Sequence, residues 1–85
     1  MMIDNHLNYK NVIDSKVVNN ELVFKIEIRY VKKGEYLKKN PESKNIFKRL
    51  AFDRYEKKFE IENVNNINNS SYLKSNAHVW IGFSH

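Results

Sequence analysis

Three stretches of the 85-residue chain predict a small α+β domain: about four antiparallel strands carrying one helix, in the order β-β-α-β-β. They are the alternation of ELVFKIEIRYVK, the cap chemistry of NPES, and the alternation of AHVWIGFS near the end. An all-β alternative replaces the helix with a further strand over residues 45–52. Eighty-five residues leave room for one core, so residues 1–85 are read as a single domain. Such a chain is stable by only roughly 5 to 10 kcal/mol, and most of its apolar residues are needed to fold it.

The elements follow in order. NVIDSKVV is a short strand, joined through Asn19-Asn20, and asparagine tolerates the positive φ of a two-residue hairpin turn. In the next strand Leu22, Phe24, Ile26, Ile28 and Tyr30 share one face, against Val23, Lys25, Glu27, Arg29 and Val31. Lys33-Gly34-Glu35 reverses the chain, with glycine supplying backbone freedom. Asn40 then reads as a helix N-cap, Pro41 as the first helical position and Glu42 as a first-turn acid. Ile46, Phe47, Leu50 and Ala51 form a helical stripe of about three turns ending near Asp53. YEKKFEIENV is a strand in which Tyr55, Phe59 and Ile61 alternate with acids and lysines. NNINNSS, residues 65–71, is a polar loop. In the last strand Ala77, Val79, Ile81 and Phe83 face one way, with His78, Trp80 and Gly82 facing the other. Gly82 marks a bulge or a close backbone approach.

Several chemistries are excluded. There is no cysteine, hence no disulfide framework and no thiolate metal site. Two glycines 48 positions apart cannot build a phosphate-cradling loop. The histidines, His6, His78 and His85, show no i+3 or i+4 ligand pair. The serines lack a nucleophile elbow. Glu60 and Glu62 share a strand face, which the opposing Phe59 and Ile61 explain as its solvent side. The expectation is therefore no enzyme, no metal and no cofactor. The first ten residues hold no signal-peptide core, and no apolar run exceeds three residues where a spanning helix needs about 20. A cytoplasmic protein is expected, in a host cytoplasm if phage-encoded.

Charge supplies the functional expectation. Lysine outnumbers arginine 12 to 3, and 13 asparagines accompany it, a bias that AT-rich codons alone produce. Codon bias spreads lysine evenly, however, and this lysine is clustered. Residues 32–58 hold ten cations against four acids, and the rest of the chain five against six, so the net +5 arises wholly from this segment. Aromatic residues interleave with it, the combination used by single-strand binders. The candidate contact residues are Lys32, Lys33, Tyr36, Lys38, Lys39, Lys44, Lys48 and Arg49, with Trp80 as a candidate interface anchor. Expected partners are nucleic acid or an acidic protein surface. Alternatives are a phage or mobile-element inhibitor acting by stoichiometric protein binding, and a small assembly protein forming a homodimer through a sheet edge.

Overall fold

The computed structural model describes residues 11–84. Its strands are β1 (Val12–Val18), β2 (Glu21–Glu27), β3 (Tyr36–Leu37), β4 (Phe47–Asp53), β5 (Lys58–Asn63), β6 (Asn66–Lys74) and β7 (His78–Ile81). Helical structure among the described residues is confined to short 3-10 segments such as the turn Ile28–Tyr30, and no helix reaches seven residues. No described helix is long and apolar enough to cross a membrane. The all-β alternative is therefore the fold, and the expected α+β order with a central helix is corrected.

Two antiparallel sheets form, ordered β1-β2-β7 and β3-β4-β5-β6. They meet where the Lys38 N–H donates to the Trp80 carbonyl (2.9 Å) and the Trp80 N–H returns to the Lys38 carbonyl (2.8 Å). Ile26, Ile28, Val31, Leu37, Phe47, Phe59, Ile61 and Val79 draw one core from both sheets. Each fully buried aliphatic side chain there contributes about 1.5 to 3 kcal/mol.

The asparagine turn and the glycine turn are found as expected. Asn19 and Asn20 both take positive φ (52° and 67°), and Val18 pairs with Glu21 across them. Gly34 (φ 89°) sits in the reversal that the Glu35 N–H closes on the Lys32 carbonyl at 3.1 Å.

The helix fails for a reason visible in β4. Arg49 pairs with Ile61 and Phe52 with Phe59, so three steps along β4 match two along β5. That one-residue bulge falls on Leu50 and Ala51, the second half of the expected helical stripe, and interrupts the alternation by which a strand is read. The first half of that stripe does not share a face either: Phe47 enters the main core, while Ile46 packs against the separate cluster of Val23, Trp80 and Phe83. The cap residues do act as caps, but of isolated turns. The Glu42 N–H donates to Asn40 Oδ1 and the Asn45 N–H to Ser43 Oγ, both at 3.0 Å.

Three further expectations change. Residues 65–71, read as a loop, lie largely within β6, an edge strand exposed along most of its length. Tyr55 is not in β5 but on the β4–β5 turn, where Asp53 Oδ1 accepts the Tyr55 N–H (2.9 Å). Phe83 leaves the face of Val79 and packs with Val23 and Trp80, against Val18, Tyr36 and Ile46. Gly82 redirects it. Its φ is 92°, and a Cβ there would lie 3.2 Å from Phe24 Cδ2, which is the close approach expected of it.

Candidate functional site

Residues directly opposite in an antiparallel pair project from the same face of a sheet. Leu37, Phe47, Asn63, Arg49, Ile61, Phe52, Phe59 and Leu73 therefore share the inner face of the four-stranded sheet. Its outer face carries Tyr36, Lys48 and Glu62 in one row, Glu60 with Tyr72 in another, and Asp53, Lys58 and Lys74 in a third.

This alternation divides the sequence-predicted basic residues. Lys32 and Lys33 are exposed at the turn before β3, and Lys44 is exposed in the connection before β4. Lys38 and Lys48 belong to the outer face, with Lys48 beside Tyr36 and Glu62. Lys39 reaches the other way, its Nζ 4.7 Å from the centre of the Phe47 ring. Arg49 is on the inner face, its guanidinium carbon 4.3 Å over the Phe59 ring. A run contiguous in sequence is thus spread over two faces.

Three of the segment's cations rest on rings instead of carboxylates. Lys38 Nζ stands 4.7 Å from the Phe83 ring centre, beside the Lys39–Phe47 and Arg49–Phe59 pairs. A ring face attracts a cation by about 0.5 to 1 kcal/mol at exposed sites and leaves its charge uncancelled. Among the described residues the ion pairs are Lys16–Glu42 (3.4 Å) and Arg29–Glu27 (2.7 Å), and neither uses a cation of residues 32–58. Glu42, one of that segment's four acids, is instead drawn to Lys16 on β1.

Arg49 is the most confined of these groups. Its Nε is buried and finds no acceptor among the described atoms, and desolvation holds its pKa below the ordinary arginine value. An arginine so placed remains cationic at neutral pH.

Trp80 is 9% exposed, packed with Val23 and Phe83, so little of its ring is offered to a partner. Tyr36 is half-buried against the same group. His6 and His85 lie outside the described residues, and His78 is exposed opposite Glu27. Among the described residues no group of three or more His, Asp or Glu side chains is placed to hold a metal.

Sequence reasoning missed a second grouping, at the β4–β5 turn. Lys74, far away in sequence, lies directly opposite Lys58, and Tyr72 stands two residues earlier on the same face. Tyr72 and Lys74 do alternate outward in the sequence, but the asparagine-rich stretch before them hides the strand. On the free edges, β1 carries a register shift between Val12 and Asp14, and β6 is regular only over residues 70–74. Strand addition in a homodimer would start from those five residues.

Comparison with family models, with curated proteins and with solved structures finds no match for this chain.

Proposed function

We propose that the protein is a small, non-enzymatic binding protein whose basic segment, centred on β3 and β4, holds nucleic acid through its phosphates. One observation carries this reading. Three of the segment's ten cations, Lys38, Lys39 and Arg49, are held over aromatic rings, and none of the ten is drawn into an ion pair among the described residues. Repulsion among them opposes folding, and an anionic partner relieves it. Lysine dominates the set, so recognition is by charge and not by the bidentate arginine contacts that read guanine.

The test is a salt series with labelled oligonucleotides. If about four phosphates are neutralised, log K falls against log salt with a slope of about −3.6 for duplex and about −2.8 for single strands. Lys32→Glu combined with Lys33→Glu should weaken binding at every sequence alike. Absence of binding at low salt to either form of nucleic acid would overturn the reading. It would leave the acidic protein surface as the partner to seek.

A further inference from the structure

An open groove of about 260 Å³ lies on the outer face beside the β4–β5 turn, lined by Asp53, Glu56, Lys58 and Tyr72. Lys58 and Lys74 face each other across β5 and β6 at its margin. Like charges directly opposite on one face destabilise a sheet. Asp53, on the other flank of Lys58, spends Oδ1 on the Tyr55 and Glu56 N–H groups (2.9 and 3.2 Å) and forms no ion pair with either lysine. Tyr72 is 52% exposed, and Tyr55, at the turn between Arg54 and Lys57, is 96% exposed. Neither ring is needed for the core; Tyr72 has Glu60 directly opposite and Lys58 and Lys74 in the next row of the same face, and Tyr55 stands between Arg54 and Glu56.

We propose that this groove takes one nucleotide of a single strand, its base stacked on Tyr72 and its phosphate between Lys58 and Lys74. The inference rests on the nucleic-acid reading above and names the form of nucleic acid. Tyr55, Arg54 and Lys57 carry the neighbouring nucleotide, which is why a strand fits and a lone mononucleotide leaves the turn unused. Duplex DNA keeps its bases stacked internally and cannot give a ring to Tyr72. The two carboxylates on the groove wall accept hydrogen bonds, so a base presenting an amino group is preferred. Carboxylates accept from the cytosine N4 amino group, which thymine lacks.

Fluorescence anisotropy with labelled (dC)12, (dT)12 and a duplex, and with heparin as a generic polyanion, tests this in the full chain. Expected are tighter binding of single strands than of duplex, and of (dC)12 than of (dT)12. Tyr72→Leu should weaken single-strand binding about 5- to 100-fold, as loss of a stacked base does, and leave heparin binding unchanged. Tyr55→Ser, at a nearly free position, gives a second reading should Tyr72→Leu disturb folding. If both variants bind (dC)12 as the wild type does, the groove is not a base site, although the phosphate-binding reading stands. If neither heparin nor any oligonucleotide binds, both readings fall.

Discussion

Trp80 and Tyr72 both point from the outer side of their sheets, and they meet opposite fates. Around Trp80 the outer face is covered. Residues 40–46 bring Ile46 down on it, Gly82 turns Phe83 back over it, and Val18, Val23 and Tyr36 complete a second apolar cluster. Around Tyr72 no described segment covers the sheet, and the same face carries Lys48, Glu60, Glu62, Lys58 and Lys74. Strand alternation decides only which way a side chain points. Whether that direction means core or solvent is decided by chain segments from elsewhere.

The strongest test of this contrast is a pair of truncations. Trp80→Ala should cost about 3 to 5 kcal/mol, a large share of the roughly 5 to 10 kcal/mol available to a domain of this size. Tyr72→Ala, on the open face, should cost about 1 kcal/mol or less. Urea denaturation of the two variants measures the difference. Equal midpoints would mean that the segment over Trp80 is not a real cover.

Next in size is Gly82→Ala. The substitution places a Cβ 3.2 Å from Phe24 Cδ2 at a φ of 92°, so both strain and contact oppose it. A loss of about 1 to 2 kcal/mol is expected. Tryptophan emission should shift to the red as Phe83 is drawn off Trp80. Unchanged stability and emission would show that Phe83 does not depend on that turn.

The same contrast explains what the sequence could and could not reveal. Turns written in Asn19-Asn20 and Gly34 were legible because their backbone angles are local. The alternation of Phe59 and Ile61 was legible because β5 is flanked on both sides and its inner row reaches the core. β4 was not, since its extra residue between Arg49 and Phe52 breaks the alternation and sets Leu50 and Ala51 in the bulge. Nor was β6, an edge strand whose Asn and Ser positions show little contrast between faces. For the candidate site, the excess of charge over residues 32–58 was legible in the chain. Its division between two faces was not, because the helix was expected to gather Lys44, Lys48 and Arg49 on one element. The approach of Lys74 to Lys58 depends on β5–β6 register, which no local pattern discloses.

Arg49 sharpens the comparison from the inner side. Its Nε is buried without an acceptor, and an unsatisfied buried donor costs about 1 to 3 kcal/mol. Arg49→Met keeps the length and the packing on Phe59 while removing that donor. We expect stability to rise by about 1 kcal/mol and the salt slope for duplex binding to flatten by about 0.9 if Arg49 meets a phosphate. Because burial depresses the Arg49 pKa, the folded form binds that proton less tightly than the unfolded form. Stability therefore rises with pH only above the folded-state pKa, far on the alkaline side, and the penalty is constant through neutral pH. A calorimetric scan between pH 6 and 8 should show the same gain for Arg49→Met at each pH.

The smallest effect expected concerns the pair that ties the cover to its sheet. Lys16 Nζ on β1 meets Glu42 Oε2 in the 40–46 segment at 3.4 Å, with both side chains about half exposed or more. Exposed pairs of this kind contribute about 0 to 1 kcal/mol and are screened by salt. Glu42→Gln should therefore shift the urea midpoint barely, and the shift should vanish in 1 M salt. Ile46→Ala, which removes the apolar contact from the same segment, should cost about 1 to 2 kcal/mol regardless of salt, since Ile46 is only half-buried. If the order were reversed, the cover over Trp80 would be an electrostatic latch that opens as ionic strength rises. With the order as expected, burial of Ile46 holds the cover shut at any ionic strength.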